Sequence, residues 1–311
     1  MAGCSDAQSV LNPHGAEAES IALLFWITAI GGALIWLAVV GALIYAGRRH
    51  RKPYSQASAA RLVLWAGAVV PSILLAVLLG YALALIPDLR PLAASADDDR
   101  LHIEVIGEQF WWRVIYHPPD GQPVVSANEV RLPVGERVTF SLKSTDVIHS
   151  FWIPPLGGKM DMIPGRTNTF SLKATKAGIF RSPCTEFCGP SHALMAFTAV
   201  AMKPGRFDRW LANEGKEAVN GKPGLKPFLA NGCGACHAIR GTEADGAVGP
   251  DLTHLASRKT LAAGSLPNTE DAIARFIAEP DEVKPGVRMP AFGMLPQDEI
   301  DAIAAYLARL E

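Results

Sequence analysis

Two short stretches of this chain carry residue types that could do chemistry. In Cys184-Thr-Glu186-Phe-Cys188-Gly-Pro-Ser-His192-Ala-Leu-Met195, two thiols, an imidazole and a thioether fall within twelve residues. Soft sulfur donors combined with imidazole suit copper. A spacing of four between the cysteines lets one loop turn both sulfurs toward a common point. The set is one imidazole short of serving two copper ions symmetrically, and His149, in Asp146-Val-Ile-His149-Ser-Phe-Trp152, supplies one from the strand region before it. The second stretch is Cys233-Gly-Ala-Cys236-His237. Cys-x-x-Cys-His is the attachment pattern of a c-type haem, with two thioether links and an axial histidine. Arg288-Met289-Pro290-Ala-Phe292 offers a thioether for the opposite face of the iron, and Met294 is an alternative. Five cysteines could also be read as a disulfide framework, but the two close pairs sit inside metal and haem patterns.

These sites need a scaffold, and the sequence changes character along its length. Ile21–Ala46 and Leu62–Ile86 are apolar and hold no charged residue, each longer than the roughly 20 residues of a membrane-crossing helix. A purely soluble protein and a multispan transporter are both excluded. The intervening 47–61 loop holds Arg48, Arg49, Arg51, Lys52 and Arg61, whereas residues 1–20 hold no Lys or Arg. The positive-inside rule predicts a cytoplasmic loop with both termini on the outer side. Ala2-Gly3-Cys4 matches the end of a lipoprotein cleavage site, so Cys4 is a candidate for lipidation. A formal net charge of −1 gives no sign of nucleic-acid binding.

From residue 97 to 204 short alternating runs, such as Leu101–Ile106, Arg137–Lys143 and Ala196–Met202, are separated by Pro, Gly, Asp and Asn, which predicts an all-β sandwich or barrel. Residues 205–224, polar and glycine-rich, read as a linker. Residues 225–311 end in an amphipathic helix with Ile300, Ile303, Ala304, Leu307 and Leu310 on one face and an acidic first turn. That helix is expected to pack against one at about Lys226–Cys233. From residue 223 onward, 12 Asp and Glu stand against 8 Lys and Arg, a surface suited to steering a basic soluble donor.

On "DVIHSFWIP", "IPGRTNTF" and "CTEFCGPSHALM", both spans and the β region resemble cytochrome c oxidase subunit II, and the C-terminal region resembles class I cytochromes c. The resemblance implies a two-helix transmembrane hairpin, a cupredoxin-like β domain holding a mixed-valence binuclear CuA centre, and an all-α cytochrome c domain. In that scheme Cys184 and Cys188 bridge two copper ions, His149 and His192 each terminate one, Met195 is a weak ligand, and the Glu186 backbone carbonyl is another. The Glu186 side chain would reach a magnesium ion shared with subunit I. The Pro250 carbonyl would take the second N–H of His237, a bond that fixes the ring, and the Met289-Pro pairing matches the family ligand. The aromatic stretch Phe110-Trp111-Trp112, where family members receive electrons from outside, has Phe110 in place of the usual Trp. At the start of the second span, Ala60-Arg61-Leu62 lacks the family's proton-channel glutamate.

The implied function is electron relay from a covalent haem c through CuA to haem a of subunit I, for O2 reduction coupled to proton translocation in a bacterial inner membrane. Subunit III would be a further partner, and a cytochrome bc complex or a soluble cytochrome c the donor. Fusion makes the donor step intramolecular. The spans contain no histidine, so oxygen chemistry belongs to another chain. Two alternatives remain at this stage, the electron-accepting subunit of a CuA-type nitric oxide reductase and a membrane-tethered electron carrier.

Overall fold

The computed structural model describes residues 8–48, 55–89, 100–119, 121–218 and 223–311. It divides into Glu19–Leu92 and a larger unit of Met1–Ala18 with Ala93–Glu311. Cys4 and Arg49–Tyr54 of the basic loop lie outside the described residues.

The smaller unit holds most of helix α1 (Ala16–Arg48), then α2 (Gln56–Leu64), a π turn (Trp65–Val69) and α3 (Val70–Leu89). Two helical stretches here are long and apolar enough to cross a membrane. Leu34, Trp36, Leu75 and Val77 are exposed, a surface suited to lipid or to partner helices. Ile21, Leu24, Phe25 and Thr28 share a crevice with Leu78 and Ala82. Helix extends beyond both apolar runs. The second begins at Gln56, inside the expected 47–61 loop, because the Ser55 hydroxyl caps it by accepting the Ser58 N–H. The π turn has its cause in Pro71, which has no N–H to give the carbonyl four residues back; the Val70 N–H reaches Trp65 O instead.

The larger unit opens with ten strands: β1 (His102–Glu108), β2 (Trp111–His117), β3 (Val124–Ala127), β4 (Glu129–Pro133), β5 (Arg137–Ser144), β6 (His149–Trp152), β7 (Lys159–Met162), β8 (Asn168–Lys173), β9 (Gly178–Pro183) and β10 (Ala196–Met202). They form a five-stranded sheet, β3-β2-β1-β5-β8, a three-stranded sheet, β4-β10-β9, and the ribbon β6-β7. Burial alternates strictly along β1 and β2, as a half-buried sheet requires. The core is aromatic: Phe151 stacks on Phe197 at 4.9 Å, and Trp112 meets Phe197 edge-on at 5.2 Å.

The predicted 205–224 linker begins instead as helix α4 (Pro204–Glu214). Phe207, Trp210 and Leu211 recur at helical spacing and pack on the β core, with Trp210 edge-on to Tyr116 at 5.1 Å. That apolar stripe outweighs the polar composition around it.

Helix α5 (Leu225–Ala230), β11 (Thr260–Leu261), β12 (Leu266–Pro267), α6 (Glu270–Ala278), α7 (Pro280–Val283) and α8 (Gln297–Leu307) complete the unit. On α8 the expected face is buried, and Tyr306 joins it, 6.4 Å from Phe228 of α5. The domain is not wholly helical, since β11 and β12 pair. Ala263, between them, accepts the backbone N–H of Ala196 at 2.9 Å, so this ribbon is stitched to the start of β10. Lys259 N–H to Glu129 (2.9 Å) and Arg131 to Ser257 O (3.1 Å) add to the same seam. The two halves are therefore docked, not merely tethered.

Candidate metal centre and haem site

The loop between β9 and β10 is closed at its base by the Cys184 N–H donating to Met195 O at 2.8 Å. Within it, the Cys184 and Cys188 sulfurs lie 4.0 Å apart as free thiols. Nδ1 of His149 stands 3.8 Å from the Cys184 sulfur, and Nδ1 of His192 stands 3.5 Å from that of Cys188. The Met195 sulfur is 3.8 Å from Cys188, and Glu186 O is 3.3 Å from Cys184. Every atom expected to face copper thus lies within 4.0 Å of one of the two sulfurs. His149, at the head of β6, is fully buried and shares a candidate metal cluster with both cysteines.

Asp146 orients this ring. Its carboxylate lies 2.8 Å from His149 Nε2, which leaves Nδ1 toward the sulfurs. The same carboxylate accepts the Gln109 and Val147 backbone N–H groups at 2.7 Å. Gly107 is required behind the ring, because a Cβ there would lie 2.7 Å from a His149 ring carbon.

The two thiols titrate as a pair. The hydrogen bond from Cys188 pushes Cys184 down to about 4 against the effect of burial, with help from His149. The bond to Cys184 and burial push Cys188 up. Burial opposes charge on His149, but its bonds to Cys184 and Asp146 raise it overall. A pair in which Cys184 ionises readily and Cys188 donates to it, beside two imidazoles, is a donor set for a soft cation.

The second site is a cavity of about 370 Å³ lined by Cys233, Cys236, His237, Pro250, Arg258 and Met289, among others. His237 Nδ1 lies 2.7 Å from Pro250 O. Burial lowers the His237 pKa despite that bond, so the ring is neutral, gives its N–H to Pro250 and keeps a lone pair on Nε2. Gly249 is packed so close that a Cβ would lie 2.5 Å from the ring. Buried Arg258 donates to Asp251 O, while its Nε finds no partner among the described residues. An apolar cavity with two thiols, one free imidazole nitrogen, a thioether and a buried guanidinium whose Nε lacks a partner fits a haem, whose carboxylates would answer the arginine.

Met289 lines this cavity, whereas Met294 is 78% exposed and is not among the lining residues. The aromatics divide: Trp112 is sealed in the β core, Trp111 lines the cavity with Arg113 over its ring, and Phe110, only 2% exposed, lines it from the β side. The Glu186 carboxylate stands outside the sulfur cluster, ion-paired with Lys159 at the surface. Sequence reasoning missed Asp146, Gln109, Arg258 and Lys284. Asp146, three residues before His149, was open to detection; the others are single polar residues without a pattern.

Comparison with known proteins bears on both sites. A family model described as "Cytochrome C oxidase subunit II, periplasmic domain" matches residues 122–202, and one described as "Cytochrome c" matches 221–311. Cytochrome c oxidase subunit 2 of Alkalihalophilus pseudofirmus is 33% identical over 336 residues, covering 100% of this chain and 94% of that protein. The chain belongs to the cytochrome c oxidase subunit 2 family. The Bacillus sp. (strain PS3) relative is 33% identical over 268 residues, 80% of this chain and 74% of its own. A crystal structure of the periplasmic domain of subunit II of cytochrome oxidase from Bradyrhizobium japonicum is 30% identical, covering 40% of this chain and 96% of that one, with a TM-score of 0.36. As a subunit 2 with a cytochrome c domain, the chain is an electron-transfer component of an oxidoreductase complex. Its family matches imply copper for the first region and haem for the second, and its two apolar helices fit a membrane anchor.

Proposed function

We propose that this chain is the electron-receiving arm of a proton-translocating haem–copper oxidase, taking electrons at a covalent haem c and passing them through a CuA pair to haem a of subunit I. Bound there, the haem and the two copper ions supply one-electron carriers. Cys233 and Cys236 would hold the haem covalently, and His237 and Met289 would supply an imidazole nitrogen and a thioether sulfur to its iron. Pro250 holds the His237 N–H, which fixes the ring and its basicity. Cys184, Cys188, His149, His192, Met195 and the Glu186 carbonyl would hold the copper ions, the thiolates and imidazoles as the main donors.

The observation that carries this reading is the turn between β1 and β2. Phe110 lines the haem cavity, and the neighbouring Gln109 side chain donates to Cys188 O at 2.5 Å. One turn therefore borders both sites. Because Phe110 is covered by the haem-binding half, an outside donor does not reach it, and electrons enter at the haem. This accounts for the absence of the family's Trp at that position.

The Glu186 carboxylate, exposed and paired with Lys159, is proposed as this chain's ligand to magnesium at the border with subunit I. Subunit III, a cytochrome bc complex or soluble cytochrome c as donor, and an outer placement of both termini complete the proposal. Lipidation of Cys4 is carried as a proposal from the sequence alone.

The test is to isolate the native complex through a tag on this chain and follow oxygen uptake with an artificial donor. Rapid uptake with a-type haem bands beside the c band is the expected result. Intact copper and haem signals without uptake would move the assignment to nitric oxide as acceptor, or to a free-standing carrier if no large subunit accompanies the chain.

A further inference from the structure

Lys284 is a lysine with 2% of its surface exposed, in the segment that joins α7 to Met289. Its Nζ donates to Phe110 O, across the seam, at 2.5 Å and to Ala262 O, on its own side, at 3.0 Å. The next residue continues the contact, as Pro285 O accepts the hydroxyl of buried Ser191 in the copper loop at 2.7 Å. A Cβ built on Gly286 would be 3.6 Å from the Phe110 ring and 3.7 Å from Pro190. Five residues before the proposed iron ligand, the chain is thus fastened to the turn that borders both sites.

Burying a lysine is costly unless its hydrogens find acceptors. Burial pushes Lys284 down to about 7, with the Cys188 charge pulling the other way. Both the ammonium and the neutral amine carry at least two N–H groups, enough for both carbonyls. Among the other bonds across the seam, Arg181 to Gly264 O (3.0 Å) and Arg113 to Ala247 O (2.8 Å) are exposed, whereas Arg131 to Ser257 O and Lys259 N–H to Glu129 are part-buried; none of these four reaches the turn that borders both sites. Interface energy concentrates in buried central contacts and not in the rim.

We infer that Lys284 is the positioning residue that clamps the haem-binding half to the copper-binding half in the geometry for electron transfer. The inference rests on the relay proposed above. In the step it serves, one electron leaves the haem iron and reduces the copper pair by one, and no bond forms or breaks. Without the clamp, Phe110 O loses its donor at the turn that borders both sites, and the halves stay linked there by Ser191 to Pro285 O and elsewhere by the Ala196 to Ala263 O bond, by side-chain bonds nearer the rim and by the chain itself. Transfer then waits on re-docking.

The experiment is single-turnover haem-to-copper transfer in the complete purified complex, in buffer and in glycerol, for wild type, Lys284→Met and the rim control Arg181→Gln. Haem content, copper content and both optical signatures are recorded alongside. For Lys284→Met we expect full cofactors but transfer slowed about tenfold or more and newly dependent on viscosity. Arg181→Gln should stay within about twofold. Transfer in Lys284→Met within about twofold of wild type and insensitive to glycerol would overturn the clamp. Should Lys284→Met lose haem or copper, Lys284→Gln takes its place and is judged by the same readouts. If wild type itself passes no electron from haem to copper, the relay falls and the clamp with it, an outcome distinct from a fast Lys284→Met.

Discussion

Asp146 holds His149 by a 2.8 Å contact to Nε2, and this single bond decides which ring nitrogen faces the two sulfurs. The carboxylate is itself fixed by two backbone N–H groups, so it cannot follow the ring if the ring turns. Removing the carboxylate should therefore loosen the metal site without touching a proposed ligand. Asp146→Ala is expected to weaken copper retention about 10- to 100-fold, the range for lost outer partners of ligating histidines. Competition with a copper chelator measures it, and unchanged retention would show that the ring is held by packing alone.

The other side of the same ring is set by a missing atom. Gly107 lies on β1 where a Cβ would come within 2.7 Å of the His149 ring, and Trp112, its cross-strand partner on β2, packs against the same ring with centroids 6.1 Å apart. Gly107→Ala should displace the histidine at a cost of about 1–3 kcal/mol. The expected signature is a shifted copper spectrum in a chain that still binds haem. A wild-type spectrum would mean that the strand, and not the ring, gives way.

Much of this was legible in the sequence because the proposed ligands are compact along the chain. Three of the four side chains around the copper loop after His149 fall within Cys188–Met195, and the cavity's thiols and imidazole fall within Cys233–His237. The spans declared themselves by unbroken apolar length, β1, β2 and β5 by alternation, and β10 by a short apolar run that is buried on both faces. What escaped was carried by contacts without a local pattern. Helix α4 was hidden because Phe207, Trp210 and Leu211 are interleaved with Arg, Asp and Asn. The short ribbon β6-β7 offers too few residues for a period to emerge. The docking seam was invisible, since Lys284 to Phe110 O and Ser191 to Pro285 O join side chains to backbone carbonyls far apart in sequence.

A pH response is expected from a pair remote from both sites. His102 and His117 face each other across β1 and β2, with ring centroids 5.2 Å apart. Burial first, and then the neighbouring His117, lower the His102 pKa below its ordinary 6.5, while Glu104 opposes them. Below pH 6.5 the unfolded chain takes up this proton and the folded chain does not, so stability rises with pH between the lowered value and 6.5. Acidification through that window should therefore lower the melting temperature of the larger unit. His102→Gln should flatten the slope there and leave it unchanged above pH 7. A melting profile with the same slope in the variant would assign the acid sensitivity to other groups.

The two methionines near the C-terminus give the most direct discrimination at the haem cavity. Met289 and His237 both line the cavity, while the Met294 side chain is in solvent. A thioether opposite histidine raises a haem potential because it stabilises the reduced iron. Met289→Leu keeps the apolar volume and removes the sulfur, so the haem should stay attached through Cys233 and Cys236 while its midpoint potential falls. Met294→Leu should leave that potential unchanged. Redox titration of the two variants in the intact complex checks both at once. A fall in Met294→Leu with none in Met289→Leu would reverse the assignment. With Met289 silent, the segment held by Lys284 would no longer lead to the iron, and the clamp would need another route to the haem.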